Sequence, residues 1–151
     1  MRKLVISILA VLHAMPAFAD EKPFALGVHL GTFHTTGTYN NINTGVYGRF
    51  NSWTVGGYHN SIRKPSYYVA YTWEIPTPHV PLVESFAITA GGITGYESSL
   101  NDSGVLPMLV PSAAFRITPK VLLRLSILPI DGQKIGSSGA ALHFSLEHPL
   151  Q

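Results

Sequence analysis

The feature that most constrains the fold of this chain is an alternation of apolar and polar residues with a period of two, which is typical of β-strands. It is clearest in residues 138–147, where two interleaved sets of side chains would point to opposite sides of one strand. One set is apolar and the other mostly polar: Ala140, Leu142, Phe144 and Leu146 against Ala141, His143, Ser145 and Glu147. Similar segments separated by turn residues predict eight strands, at 24–34, 44–50, 53–60, 67–74, 82–92, 105–116, 120–128 and 138–147.

Alternation alone is compatible with two all-β architectures. A soluble sandwich turns its apolar face inward, whereas a transmembrane barrel turns that face towards lipid and keeps the polar face in its lumen. The composition favours the barrel, because 46% of the residues are hydrophobic and only 12% are charged. Residues 20–151 contain no apolar run of the ~18 residues that a membrane-spanning helix needs. We therefore expect one all-β domain, an eight-stranded antiparallel transmembrane β-barrel of an outer membrane.

The first residues of the chain predict export. Two basic residues precede an apolar stretch at 4–12, and Ala-Phe-Ala at 17–19 is a small-x-small cleavage site. This order is that of a signal peptide at 1–19, which predicts a mature domain of residues 20–151 in the cell outer membrane. A membrane anchor is the alternative interpretation, but the apolar stretch is too short to span a bilayer as a helix.

The connections between the predicted strands alternate in length. Short turns follow residues 50, 74 and 116, and longer segments rich in Gly, Asn, Ser and Pro lie at 35–43, 61–66, 93–104 and 129–137. This pattern fits periplasmic turns at one end of a barrel and external loops at the other. Aromatic residues at both levels predict two interfacial girdles, with Phe50, Trp53 and Trp73 beside short turns and Tyr39, Tyr58, Tyr67 and Tyr96 near long loops.

Charge and cysteine content exclude several classes of function. Of the ten Lys and Arg residues, Arg2 and Lys3 lie in the leader, so the mature part carries eight basic and eight acidic residues. Without a basic stripe we expect no nucleic-acid partner. The chain has no Cys, which excludes a disulfide scaffold and a thiolate metal site. The histidines are scattered without a ligand pattern, so we expect neither a metal nor a cofactor.

Three stretches of the chain, at 60–74, 90–94 and 107–113, carry short motifs in a recognisable order. Together they resemble one family, the lipid A palmitoyltransferases of outer membranes (PagP). Asn60 and Ser61, followed by Tyr-Thr-Trp-Glu at 71–74, are similar to the family's Asp-Ser and Gly-Tyr-Gly-Trp-Glu at the same spacing. The sequence Ala-Gly-Gly-Ile-Thr at 90–94 resembles Ala-Gly-Val-Thr, and Pro-Met-Leu-Val-Pro-Ser-Ala at 107–113 resembles Pro-Val-Leu-Leu-Pro-Leu-Ala. Leu-Pro at 128–129 resembles an Ile-Pro that ends the next strand. The chain departs from the family at Asn60, where the family has a carboxylate, and in lacking the family's long amphipathic helix before the barrel.

The resemblance implies a function and a set of site residues. The family is an eight-stranded barrel that holds one acyl chain in its lumen and moves it from a phospholipid to lipid A. It implies that His29, late in the first strand, corresponds to the functional histidine, with Ser61 and Asn60 beside it. His34 has the opposite strand parity but lies where the strand meets the loop, so it is a second candidate for the base. The non-functional interpretations are that His29 is a polar residue tolerated in a hydrated lumen, and that Asn60 and Ser61 only form a turn.

Further residues of the same stretches are candidate lipid-binding groups. Arg63 and Lys64 in the external loop suit lipid phosphates, although they also fit solvated loop charges. Three prolines, which cannot donate ladder hydrogen bonds, would open the wall to a lipid tail or simply end strands: Pro107, Pro111 and Pro129. Thr72 takes the position of the glycine that floors the family's acyl pocket, which implies a chain shorter than palmitate if Thr72 does more than fill the lumen.

The sequence therefore predicts a monomeric outer-membrane acyltransferase with membrane lipids as partners, a phospholipid donor and lipid A or another outer-leaflet lipid as acceptor. The alternative is a non-catalytic small barrel with a structural or surface-modifying role, which the change to Asn60 favours. Lipid A deacylation is a third possibility, but it requires an acid near Ser and His that the sequence does not locate.

Overall fold

The computed structural model describes residues 24–35, 39–96, 104–130 and 139–150 as one closed antiparallel barrel of eight strands. The strands follow one another around the barrel in chain order, and the last pairs with the first. They are β1 (Phe24–His34), β2 (Gly45–Phe50), β3 (Trp53–His59), β4 (Pro65–Pro76), β5 (Val83–Thr94), β6 (Val105–Thr118), β7 (Val121–Ile130) and β8 (Gly139–Leu150). The predicted fold class, an all-β closed antiparallel barrel of eight strands, is confirmed. The predicted signal peptide, residues 1–19, lies outside the described residues.

The two ends of the barrel differ. Both ends of the described chain and the connections β2–β3, β4–β5 and β6–β7 lie at one end, which we call the turn end. The other connections lie at the opposite end, which we call the loop end. Asn51 and Leu82, with φ angles of 52° and 69°, take left-handed conformations in two of the short turns. In the part of the chain that the structure describes, no helix is long and apolar enough to cross a membrane.

Strand alternation assigns the two faces as predicted. In β8 the polar set, from Ala141 to Glu147, is buried and points into the lumen, while the apolar set points outward. The outer face of the barrel carries many exposed apolar side chains, among them Leu26, Phe33, Val46, Phe50, Val55, Val69, Phe86 and Leu109. The apolar face therefore lies outside the barrel, opposite to its position in a soluble sandwich.

The predicted aromatic girdle of the loop end is largely wrong. Tyr67 is exposed on the outer face, but Tyr39, Tyr58 and Tyr96 line the cavity inside the barrel. For Tyr58 the reason is strand parity, because Tyr58 shares the inward face of β3 with the buried Thr54. At the turn end, Phe50 and Trp53 are exposed on the outer face as expected.

A β-bulge reverses the parity of β1 near its end. Ala25, Gly27 and His29 are buried on the lumen side, and the pairing with β8 then slips between His29 and Gly31. Beyond the bulge Thr32 is buried, so the inward positions are shifted by one residue. The opposite parity that we predicted for His34 is therefore wrong, and the side chain of His34 turns to the lumen side.

The wall is incompletely paired between β6 and β7. Their ladder runs from Thr118↔Val121 at the turn end only as far as Ser112↔Ser126. Within the described residues, the ladder gives no β7 partner to positions 106–111, although these positions pair with β5 on their other side. Pro107 and Pro111 lie in this stretch and carry no N–H to donate. The loop-end half of the wall therefore has a lateral gap between β6 and β7.

Candidate active site

A tight loop between β3 and β4 presents Ser61. Asn60 is fully buried, and its side-chain oxygen accepts hydrogen bonds from the backbone N–H groups of Ile62 and Lys64, at 3.0 and 2.9 Å. Its side-chain NH₂ donates to the Ser66 hydroxyl and to the Gly95 carbonyl. The side-chain amide of Asn60 is therefore fully used in hydrogen bonds that hold the loop together. The neighbouring Ser61 borders the cavity.

His34, at the end of β1, is held between two polar side chains. Its Nε2 lies 2.8 Å from Oγ of Ser61, and its Nδ1 lies 2.7 Å from Oδ1 of Asn41. An amide oxygen only accepts, so Nδ1 carries the proton and donates it to Asn41. Nε2 is then the acceptor, and the Ser61 hydroxyl donates to it. We call Ser61, His34 and Asn41 the rim triad.

The segment that precedes β2 fixes the rim triad from outside. The backbone carbonyl of Asn41 accepts a hydrogen bond from the N–H of Thr32 at 2.9 Å, and the N–H of Asn40 donates to the carbonyl of Ser61 at 2.9 Å. The ring of Tyr39 packs on that of His34, with centroids 4.9 Å apart. One short segment thus ties β1 and the loop of Ser61 together.

The close approach of Asn41 to β1 requires glycine at the bulge. A Cβ atom added at Gly31 would lie 2.6 Å from the backbone oxygen of Asn41. No side chain fits at that distance, because the obstacle is backbone.

Beneath the rim triad lies a cavity of about 710 Å³. Its walls are unlike one another. The side formed by β5, β6 and β7 is mainly apolar, with Ile93, Leu106, Met108, Val110 and Leu128. The rest of the lining is aromatic and hydroxylic, and includes five tyrosines: Tyr39, Tyr47, Tyr58, Tyr68 and Tyr96. The two kinds of lining meet where Tyr68 of β4 pairs with Ile93 of β5. The apolar side borders the lateral gap, and Pro107 and Leu109 of β6 also line the cavity.

Hydroxyl groups at the loop end of the cavity partner one another. The hydroxyls of Tyr58 and Tyr96 lie 3.0 Å apart. Tyr96 lies beyond β5, and burial raises the pKa of its hydroxyl while the hydrogen bond with Tyr58 opposes the rise. The group therefore stays protonated at neutral pH.

His29 belongs to a separate network in the middle of the lumen. Its Nδ1 is 2.8 Å from Nε2 of His143, and its Nε2 is 3.0 Å from the hydroxyl of Tyr68. Nδ1 of His143 is 2.8 Å from the hydroxyl of Thr32. Both ring nitrogens of His29 are therefore occupied by groups other than Ser61. The structure brings Ser61 together with His34, and it places His29 in a different set of hydrogen bonds.

At the turn end the lumen is filled by two arginines and two glutamates. Glu74 accepts from Arg49 and Arg124, at 2.5 Å each, and Glu147 accepts from Arg49 and lies 3.6 Å from Arg124. Glu147 is 1% exposed and also accepts from the hydroxyl of Tyr47. These four charged side chains, which we call the floor cluster, come from β2, β4, β7 and β8 and bridge the lumen. Arg49 and Arg124 form the bottom of the cavity.

The remaining predicted site residues lie at three places. Thr72 is buried in the lumen, where its hydroxyl is 2.9 Å from that of Thr89, and it lines the cavity. Arg63, with a left-handed φ of 62°, and Lys64 are exposed in the loop of Ser61. Pro107 and Pro111 are exposed on the outer face beside the lateral gap. The backbone of Pro129 pairs with Ala140, but its side chain lies outside the described residues.

The sequence did not predict the contact between Asn41 and His34, nor the ion pairs of the floor cluster. Asn41 lies in a predicted loop, where periodicity carries no information about direction. The floor residues Arg124 and Glu147 had the expected lumen parity, but their pairing depends on register across the barrel. Among the described residues, no group of three or more His, Asp or Glu side chains is placed to hold a metal ion.

Comparison with known proteins adds evidence on the fold. No protein-family model matches the chain, and no curated protein matches it either. Among solved structures it is similar to a de novo designed transmembrane β-barrel, "Solution NMR structure of de novo designed TMB2.3", with a TM-score of 0.51. The sequences are 15% identical, and the match covers 88% of this chain and 99% of that chain. The comparison shows that this chain has the fold of a small eight-stranded antiparallel barrel, and the likeness to lipid A palmitoyltransferases rests on the sequence stretches alone.

Proposed function

We propose that this protein is an outer-membrane acyltransferase that moves an acyl chain from a phospholipid to lipid A or another outer-leaflet lipid. The observation that carries the proposal is the rim triad, which lies at the mouth of a lumen cavity beside a lateral gap in the wall. A hydrogen-bonded serine and histidine at the entrance of an apolar-sided pocket is an arrangement suited to reactions of lipid esters.

The outer surface supports a position within a membrane. Val46, Val55 and Leu109 are 66%, 57% and 64% exposed on the outer face. A continuous apolar surface around a whole barrel would be a strong aggregation liability in water. At the turn end, Trp53 packs edge-on against Tyr71, at a centroid distance of 5.3 Å, and Tyr71 packs against Trp73 at 4.7 Å. Such aromatic clusters are typical of the boundary between lipid and water.

The site supplies the groups that acyl transfer needs. His34 Nε2 is an acceptor 2.8 Å from the Ser61 hydroxyl, so it can take up a proton as the ester carbonyl is attacked. The cavity beneath Ser61 would hold the acyl chain, with Ile93, Leu106 and Met108 against its methylene groups. Arg63 and Lys64 are exposed in the loop of Ser61, and their charges suit the phosphates of a lipid headgroup.

The gap between β6 and β7 gives the acyl chain a lateral route. The gap opens on the apolar side of the cavity, where Pro107 and Leu109 of β6 belong to the lining. The tail can therefore pass from the bilayer to the lumen without crossing water, which would cost about 0.8 kcal/mol for each methylene group exposed.

The test is a mass spectrum of lipid A. The full chain is expressed in a bacterium that lacks such an enzyme, and lipid A is compared with that of cells carrying Ser61→Ala. We expect an added acyl mass with the natural sequence and none with the variant. A lost acyl mass would show hydrolysis instead of transfer. Unchanged lipid A and unchanged phospholipids, with the folded barrel present in the membrane, would contradict the proposal.

The alternative is a non-catalytic barrel with a structural or surface-modifying role. Two observations favour it: His34 is oriented by a neutral amide rather than a carboxylate, and the amide of Asn60 is committed to holding its loop. The same mass spectra decide between the two functions, because an inert barrel leaves every lipid mass unchanged.

A further inference from the structure

We infer that Ser61 is a covalent nucleophile, which carries the acyl group as an ester between departure of the donor lipid and arrival of the acceptor. The inference rests on the proposed function and specifies its chemical course. It also assigns Asn41 as the residue that positions His34.

The first argument is the direction of the hydrogen bonds in the rim triad. Because the Nδ1–H of His34 donates a hydrogen bond to Oδ1 of Asn41, the lone pair of Nε2 points at the Ser61 hydroxyl. A serine becomes a nucleophile when an adjacent base accepts its proton and a third group orients the base. Ser61, His34 and Asn41 fill these three roles in order, and a Cys-His-Asn set does the same in papain-like proteases.

The second argument is that the backbone holds each member from a different side. Asn60 fixes the loop that carries Ser61, through bonds to Ile62 and Lys64. Asn41 is docked on β1 through its carbonyl and Thr32. Asn40 then links this segment to Ser61 at 2.9 Å. A nucleophile and its base that are both held in this way lose little freedom when they react.

The third argument is that the other polar groups of the lumen already have hydrogen-bond partners. His29 bonds to His143 and Tyr68, and the charged side chains of the floor cluster pair with one another at the far end of the cavity. An acyl chain that starts at Ser61 would therefore extend down the apolar side of the cavity without breaking these hydrogen bonds.

The proposed step balances as two acyl transfers. Ser61 Oγ attacks the ester carbon of the donor, its proton moves to His34 Nε2, the bond from that carbon to the donor oxygen breaks, and the donor oxygen takes the proton from His34. In the second half, an acceptor hydroxyl gives its proton to His34 and attacks the acyl carbon. The bond to Ser61 Oγ then breaks, and Ser61 recovers its proton. No oxidant, metal or other reactant is consumed.

A covalent intermediate also fits the space. Donor and acceptor are both large lipids that must reach the same serine at the rim. An acyl chain stored on Ser61 lets the two headgroups occupy the rim one after the other, while the chain stays in a cavity of about 710 Å³.

The experiment uses a small fluorophosphonate, which phosphonylates activated serines with loss of fluoride, on the full chain in native membranes. We expect an adduct on the peptide that contains Ser61, and none in Ser61→Ala. His34→Ala lowers the labelling rate roughly 10²–10⁴-fold, as loss of a general base does. Ser52→Ala, in a short turn at the opposite end of the barrel, is the matched control and is labelled as the natural chain is. Heat-modifiable electrophoretic mobility shows that each variant is folded.

Asn41 is tested by two variants. Asn41→Leu keeps the size of the side chain but cannot accept a hydrogen bond from the Nδ1–H of His34. It lowers the labelling rate about tenfold, which is the equivalent of one hydrogen bond. Asn41→Asp restores the acceptor, so labelling is not lowered. Its pH–rate profile moves to higher pH, because a carboxylate stabilises the protonated imidazole. Equal rates and equal profiles in the three forms would overturn the role of Asn41.

The outcome also separates this inference from the proposed function. An added acyl mass on lipid A together with an unlabelled Ser61 would overturn the nucleophile and leave the acyltransferase intact. A labelled Ser61 with unchanged lipids would support the nucleophile and contradict the proposed lipid substrates.

Discussion

The two halves of this lumen use polar residues in opposite ways. At the turn end, Arg49, Arg124, Glu74 and Glu147 satisfy one another and leave little space between them. At the loop end, polar side chains line only part of a cavity, and Ser61 and His34 border it with a hydrogen bond between them. Each half contains parts of the same strands, so the difference does not come from topology.

The comparison shows how one small barrel can separate stability from chemistry. Buried charges are costly unless each is paired, and the floor cluster meets that condition with equal numbers of both signs. The floor joins four strands at the turn end, whereas the wall at the loop end is partly unpaired between β6 and β7. The predictions below probe this division, beginning with the largest effect.

Removal of the base at the loop end should have the largest effect. We expect His34→Ala to lower acyl transfer roughly 10²–10⁴-fold, with the barrel still folded. His29→Ala should cost much less activity, since His29 bonds to His143 and Tyr68. The measurement is the rate of acyl addition to lipid A. If His29→Ala is inactive and His34→Ala is not, the catalytic histidine lies in the middle of the lumen. The assignment of the chemistry to the loop end would then be wrong.

Removal of one charge from the floor should affect stability and spare the chemistry. Glu147→Gln leaves Arg49 and Arg124 sharing one carboxylate, which should cost ~3–5 kcal/mol in the free energy of unfolding. Glu84→Gln is the matched control, because Glu84 pairs with Arg116 where both are about one-third exposed, and an exposed pair contributes only ~0–1 kcal/mol. Urea unfolding from lipid vesicles measures both. Equal losses in the two variants would mean that the floor cluster does not stabilise the barrel.

An arginine placed on the outer face tests whether the barrel wall is surrounded by lipid at the middle of the barrel and near the turn end. Phe144 points outward near the middle of β8, and Phe144→Arg should cost ~2–4 kcal/mol if that level is the bilayer midplane. Ile117, exposed near the turn end of β6, is the control, since Ile117→Arg near the interface should cost only ~0–1 kcal/mol. Vesicle unfolding again gives the values. A barrel outside a membrane would show no such dependence on depth.

The boundary between the two halves should set acyl length, and this is the smallest effect. Thr72 lines the cavity above the floor cluster, and Thr72→Gly removes a stiff side chain. The space should admit additional methylene groups, each contributing about 0.8 kcal/mol, so the transferred chain becomes longer. Thr72→Ser keeps the hydroxyl that bonds to Thr89 and removes only the methyl group. It therefore distinguishes an effect of the lost hydrogen bond from an effect of the added volume. Mass spectra of lipid A would refute the idea if all three forms add the same mass.

The alternation of residue types was enough to predict the strands. All eight are found, with bounds that differ from the prediction by at most three residues, because period-two burial is a local property of each segment. The predicted direction of His34 failed because the bulge after His29 shifts every later side chain of β1 by one position. A bulge of this kind depends on how the neighbouring segment docks, here Asn41 against Gly31, and alternation along one strand does not contain that information.

The same limit applies to the contacts of the site. Ser61 and Asn60 were predicted together because they are neighbours in sequence, but the loop uses Asn60 as its internal brace. The amide that orients His34 comes from Asn41, seven residues along the chain and across a loop. The floor cluster joins residues up to 98 positions apart. Such pairings depend on the strand register at which the barrel closes, which is a property of the whole barrel.

The closed floor has a consequence for permeability. In the membrane proposed above, a barrel with an internal cavity would breach the barrier that keeps toxic solutes and ions out of the cell envelope. Here Arg49, Arg124, Glu74 and Glu147 bridge the lumen at the turn end, below the cavity that Arg49 and Arg124 line. In such a membrane, the ion pairs that join the strands would also obstruct an aqueous path through the lumen.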